Sequence, residues 1–294
     1  MFMQLSRHLS RGARFWEDRR MRRRVRAALV LSATLLGMTF GAGAAVAAYP
    51  VTTDVVAAQR DGLTGPADAA PAGANRPGCE DRYARDPVIL VHGTASNQAS
   101  AWSFLAPTLA NAGFCVYTFT FGQVPGSGSV GGLGPRVTST QQLADFIDQV
   151  RKTTGATTVD LVGHSQGAAV AQSVTQLPGR AEQIGTMVNV SGANRGYSFG
   201  GTPPPPGEGD NGPNHPNIRY VNLATTHDEV VFPLHNALME PASNVTNTVV
   251  QDVCPASEVG HLGMIYSPTV AALVQNALDP SSPVAVPCGR DFPF

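Results

Sequence analysis

Thr158-Val159-Asp160-Leu161-Val162-Gly163-His164-Ser165-Gln166-Gly167-Ala168-Ala169-Val170 is the stretch that decides how this 294-residue chain folds. Thr158 to Val162 is a short apolar run of the kind found in strands buried on both faces. The small residues after Gly167 predict a helix from about Gln166 to Gln176, halted before Pro178. Gly163-His164-Ser165-Gln166-Gly167 between them fits G-x-S-x-G. In a strand–turn–helix setting this pentapeptide forms a sharp, strained turn that lifts a serine hydroxyl above the sheet edge. The start of the following helix adds a field that favours negative charge. Without that context the pentapeptide is an ordinary tight turn; within it, Ser165 reads as a nucleophile.

Outward from this stretch, strands and helices alternate. Val88–Val91 is a continuous apolar run and reads as a strand. A helix is expected around Ala101–Ala112, with Gly113 as its cap. Phe114–Phe121 alternates aromatic and β-branched residues, again a strand. Leu143, Phe146, Ile147 and Val150 fall at i, i+3, i+4 and i+7, one face of a helix that Gly155 ends. Ile184–Val190, Ile218–Leu223 and Val245–Val253 read as further strands. Ser267-Pro268 opens a last helix to about Leu278, with an N-cap and Pro in the first turn. The alternation predicts a mostly parallel sheet covered by helices on both faces.

A serine hydroxyl needs a base to remove its proton, and the base needs an acid to orient it. In the arrangement that carries G-x-S-x-G, the chain order is serine, acid, histidine. Four histidines follow Ser165: His215, His227, His235 and His261. His261 lies in Val259-Gly260-His261-Leu262-Gly263, after the last predicted strand, and is the candidate base. Asp228 follows the strand Ile218–Leu223 and is the candidate acid. Glu229 is its adjacent rival; Asp252 and Glu258 lie too near the histidine loop. A tetrahedral intermediate also needs oxyanion donors. The N–H of Gln166 is one candidate, and the N–H of Thr94, in the loop opened by His92-Gly93-Thr94, is the other. His92 itself is expected to brace that loop and transfer no proton.

The composition limits the remaining choices. Charged residues are 14% of the chain and hydrophobic ones 43%, enough for a packed core and unlike a disordered chain. Residues 1–26 hold nine Arg against Glu17 and Asp18. An apolar run, Ala27–Phe40, and Ala45-Val46-Ala47 follow, the pattern of a secretory signal peptide over residues 1–47. A membrane anchor is the competing reading of Ala27–Ala48. Arg19-Arg20 lacks the apolar follow-up of a twin-arginine signal. Removing residues 1–47 leaves 11 basic and 19 acidic residues, a net of −8. No basic patch is visible, so nucleic acid is not an expected partner. Cys79, Cys115, Cys254 and Cys288 make an even set, suited to two disulfides in an exported protein. Of three pairings, Cys79–Cys115 and Cys254–Cys288 are favoured because each joins sequence neighbours. No C-x-x-C or His-rich spacing suggests a metal.

Val88–Gly93, Gly122–Gly134, Val159–Gly167, His227–Pro233 and Cys254–Pro268, taken in order, resemble the bacterial secreted lipases of class 2, over about residues 78–290. They resemble more distantly the small lidless lipases. The resemblance implies an α/β-hydrolase fold and hydrolysis of acylglycerols and simpler carboxylic esters, with no cofactor. It implies triad roles for Ser165, Asp228 and His261, and oxyanion roles for Thr94 and Gln166. Residues 192–216, rich in Pro and Gly, depart from the family. Acyl transfer, thioester hydrolysis or non-catalytic envelope binding are the alternatives on the same scaffold.

The expected organisation is a signal peptide (1–47), a loosely ordered leader pinned by Cys79 (48–85), and a catalytic domain (86–294). The expected state is a secreted monomer that contacts lipid surfaces transiently. Phe121–Val137 and Gly192–Pro216 are expected to border the pocket. No amphipathic lid helix is visible, so little interfacial activation is expected.

Overall fold

A computed structural model describes residues 48–81, 84–195, 212 and 214–294. The expected signal peptide and most of the loop 192–216 lie outside the described residues. Six parallel strands form one sheet: β1 (Val88–Val91), β2 (Val116–Thr118), β3 (Val159–His164), β4 (Ile184–Val190), β5 (Arg219–Ala224) and β6 (Val245–Val249). Their spatial order is β2-β1-β3-β4-β5-β6. The helices between them are α2 (Gln98–Trp102), α3 (Leu105–Asn111), α4 (Arg136–Thr154) and α5 (Gln166–Thr175). Two more, α6 (Val250–Val253) and α7 (Pro268–Leu278), follow the sheet, and α1 (Val55–Thr64) precedes it.

Alternate residues of β1 to β5 enter two separate cores. Val88, Leu90, Val162, Val188 and Leu223 pack on one face with Trp102, Leu105, Leu109, Val270 and Val274. Ile89, Val91, Leu161, Met187 and Tyr220 pack on the other with Leu143, Ile147, Val150, Val170 and Val174. Burial on both faces is why the strands read as unbroken apolar runs in place of an alternating pattern. This arrangement, with its sheet covered on both sides, is the α/β-hydrolase fold.

Four expectations are corrected. The leader 48–85 is not loosely ordered throughout. Asp54 caps α1 by accepting the Ala57 N–H at 2.9 Å, and Val55 and Ala58 enter the core. Gly62 meets the backbone of α2 so closely that a Cβ there would lie 2.4 Å from the Ser100 nitrogen. The face of α1 that docks is made of small residues, which carry little hydrophobic signal. The helix expected over 101–112 is two helices, broken at Ser103–Phe104. The strand expected over 114–121 pairs only at Val116–Thr118. Val250–Val253 coils into α6, ending the strand expected over 245–253 at Val249.

The disulfides are Cys79–Cys115 and Cys254–Cys288, the pairing favoured from sequence. The first ties the segment before β1 to the start of β2. The second ties the end of α6 to the C-terminal segment. No helix among the described residues is long and apolar enough to cross a membrane.

Candidate active site

The elbow at Ser165 follows from steric exclusion on either side of it. A Cβ on Gly163 would lie 2.6 Å from the Ala168 nitrogen and Cα, and one on Gly167 would lie 2.1 Å from the Val91 carbonyl oxygen. Only glycine lets β1, β3 and α5 converge this closely. The turn forces Ser165 to φ 55° and ψ −124°, a region that L-residues rarely adopt. The Ser165 N–H donates to the Val190 carbonyl at 3.1 Å, anchoring the strained residue to β4. Ser165 stands at the N-cap of α5, yet its hydroxyl makes no capping bond. The Oγ is not committed to the helix.

His261 lies in the loop between α6 and α7, and Asp228 in the loop after β5. His261 Nδ1 is 3.0 Å from both carboxylate oxygens of Asp228. Oδ1 of Asp228 also accepts the N–H groups of Val230 and Val231, at 2.9 and 2.7 Å. Burial raises the pKa of Asp228. The hydrogen bond and charge of His261 and the Val230 N–H outweigh it and hold this carboxyl below its ordinary value. An ionised Asp228 can only accept, so the His261 proton sits on Nδ1 and Nε2 is left without one.

The His261 ring stands beside the elbow: its centroid is 4.7 Å from that of His164, the residue before Ser165. No hydrogen bond joins Ser165 Oγ to His261 among the described residues. Such bonds often close only when substrate is bound.

The candidate oxyanion residues are also neighbours. A Cβ on Gly93 would lie 3.1 Å from Cβ of Ser165. Gly132 touches both sides of the gap: a Cβ there would lie 2.9 Å from Thr94 Cα and 3.2 Å from Gln166 Oε1. The loop Phe121–Val137 therefore seats against Thr94 and Gln166. His92 ties its own loop, His92-Gly93-Thr94, to Phe121. Its Nδ1–H donates to the Gly93 carbonyl at 2.8 Å, its Nε2 accepts the Phe121 N–H at 3.2 Å, and its ring stacks on Phe121 at 4.2 Å. Burial, partly offset by the bond to Gly93, lowers its pKa to about 4. It stays neutral and keeps both bonds.

The other candidates stand elsewhere. His227 and His235 are exposed, and His215 Nε2 faces Glu182 at 3.8 Å. Glu258 pairs with Arg290 at 2.5 Å. Glu229 does not reach the His261 ring; its Oε2 accepts the His261 backbone N–H at 2.9 Å. Two contributors were not singled out from sequence. His164 appeared only as the variable position of G-x-S-x-G, and Asp291 not at all. Asp291 accepts the hydroxyls of Ser257 and Ser267 at 2.6 and 2.8 Å. It thereby ties the C-terminal segment to both ends of the histidine loop. Its left-handed φ of 56° is a feature of the folded chain that no sequence pattern signals.

Residues 85–205 match the family described as Lipase (class 2). A triacylglycerol lipase of Pseudarthrobacter phenanthrenivorans is 31% identical over 126 residues, 40% of this chain and 37% of that protein. One from Burkholderia plantarii is 31% identical over 126 residues, 40% of this chain and 33% of that protein. The matches therefore span about a third of the length of these relatives. The crystal structure of Aspergillus fumigatus lipase B aligns with a TM-score of 0.55 at 18% identity, covering 76% of this chain and 61% of that one. This last is a likeness of fold. The family match holds Thr94, Ser165 and Gln166 and ends before Asp228 and His261, whose pairing rests on geometry.

Proposed function

We propose that this chain, whose residues 85–205 are of class 2 lipase type, is an exported carboxylic ester hydrolase acting on acylglycerols and simpler esters. The observation that carries the reading is the buried Asp228–His261 pair standing beside a strained serine elbow. Ser165 Oγ attacks the ester carbonyl carbon while His261 Nε2 takes its proton. The oxyanion accepts the N–H groups of Gln166 and Thr94. The intermediate collapses, the C–O bond to the alcohol breaks, and His261 returns the proton to the departing alkoxide. Water, deprotonated by His261, then attacks the acyl-enzyme. The acid leaves and Ser165 regains its proton.

Export is supported by the Arg-rich start and apolar run of residues 1–47 and by the two disulfides. Residues 86–294 carry the chemistry, acting as a monomer with transient contact to lipid surfaces. Ser165→Ala should abolish p-nitrophenyl ester turnover while leaving the thermal transition in place. Full turnover in that variant would refute the reading. A profile of esters from acetyl to palmitoyl assigns the acyl length, and an added alcohol acceptor separates hydrolysis from acyl transfer.

A further inference from the structure

His261 is held by its backbone as well as by its ring. Its N–H donates to Glu229 Oε2 at 2.9 Å, and its carbonyl oxygen lies 3.0 Å from Nε2 of His164. The two side chains that hold the His261 backbone are therefore the immediate neighbours of the other two triad candidates. Glu229 follows Asp228 and His164 precedes Ser165. His164 is buried on β3. Burial first, and then the nearby imidazole of His261, depress its pKa to about 3. A neutral imidazole facing a carbonyl must carry its proton on the facing nitrogen, so Nε2–H is the donor.

His261 sits in an irregular loop between Gly260 and Gly263, where its own backbone provides little stiffness. The Asp228 bond fixes one ring nitrogen but leaves the loop free to shift or pivot about that contact. Fastening both polar groups of His261 fixes the Cα position and the direction in which the ring leaves the chain. Because the two fasteners come from the acid loop and the elbow, the three catalytic positions are braced against one another.

We propose that His164 and Glu229 are positioning residues that clamp the backbone of His261 and set the aim of its imidazole at Ser165; this rests on the triad reading above. The clamp acts on turnover more than on stability at Glu229, whose side chain is exposed, since a solvent-exposed hydrogen bond adds little to folding.

The test compares E229A with E229Q and H164L with H164Q, in the full chain, on one p-nitrophenyl ester, with S165A alongside. A misplaced base costs up to about 100-fold. E229A is expected to lower kcat about 10-fold, with KM within about 2-fold and Tm little changed. E229Q, which keeps an acceptor at the same reach, should recover most of that loss. H164L should lower kcat by a similar factor, and H164Q, which restores an N–H donor, should recover part of it. Unchanged kcat in E229A, or E229Q as slow as E229A, would overturn the clamp, the latter by showing that charge and not position matters. If H164L proves unstable, the Glu229 pair decides alone. S165A separates the two levels. An inactive S165A with unaffected clamp variants refutes the clamp only, and an active S165A removes the triad and the clamp together.

Discussion

Asp228 presents both carboxylate oxygens to His261 Nδ1 at 3.0 Å, and it does so from a side chain only 2% exposed. A carboxylate this buried is retained because the backbone N–H groups of Val230 and Val231 and the imidazole share its charge.

Asp228→Asn should leave the fold intact and lower kcat by roughly 10⁴-fold, because an amide can donate to Nδ1 and stabilise the wrong tautomer. The folded carboxyl has a lowered pKa. Its contribution to stability is therefore complete above its ordinary unfolded value and is lost as pH falls through the folded value. Thermal melts from pH 6 down to pH 3 should show a shallower acid decline for Asp228→Asn than for the parent. Parallel declines would contradict this.

Asp160 has the opposite sign. It is buried on β3 beside Asp86. Burial and that neighbouring charge raise its pKa to about 7 against the bond from the Thr186 N–H. Between its unfolded value and about 7, the folded state holds a proton that the unfolded state has released. Stability therefore falls as pH rises across that window. Asp160→Asn keeps an acceptor for Thr186 and removes the charge. Its Tm relative to the parent should rise between pH 5 and pH 8, and a constant difference would contradict the shift.

Gly167→Ala tests the elbow. A Cβ at 2.1 Å from the Val91 carbonyl oxygen and 2.5 Å from that of His92 cannot be absorbed by a side-chain rotation. A loss of about 3 kcal/mol or more is expected, together with loss of ester turnover. Urea unfolding of the purified variant measures it.

The Cys254–Cys288 disulfide, with a sequence separation of 34, closes the loop that contains His261. Opening it should cost about 3–4 kcal/mol. The C-terminal segment it holds bonds to the histidine loop, Glu258 N–H to Arg290 O at 2.7 Å and Gly260 N–H to Phe292 O at 3.2 Å. A Cys254→Ser/Cys288→Ser double variant should thus melt roughly 10 °C lower and lose turnover before it unfolds. Activity persisting up to the new Tm would disconnect the segment from the site.

Much of this architecture was legible in the sequence. Strands buried on both faces announce themselves as apolar runs, and β1, β3 and β4 were placed to within a residue or two. Ser165, Asp228 and His261 each follow a strand in the sequence, and the fold brings the last two within 3.0 Å of each other beside the first. Docking through small residues was not legible: α1 meets α2 at Gly62, which looks like any glycine of a Gly/Ala-rich segment. The break at Ser103–Phe104 and the coiling of Val250–Val253 depend on tertiary contacts, among them the Gln251 side chain reaching Thr225 at 2.9 Å. The division of labour between Asp228 and Glu229 was also hidden. Adjacent carboxylates look equivalent in sequence, and only the fold sends one to the ring and the other to the backbone of the same histidine.

The most direct test of the account is covalent labelling with a fluorophosphonate, followed by peptide mapping. A single adduct on Ser165, formed rapidly in the parent and about 10³-fold or more slowly in His261→Ala, is predicted. No adduct at Ser165 in an enzyme that still hydrolyses esters would contradict it.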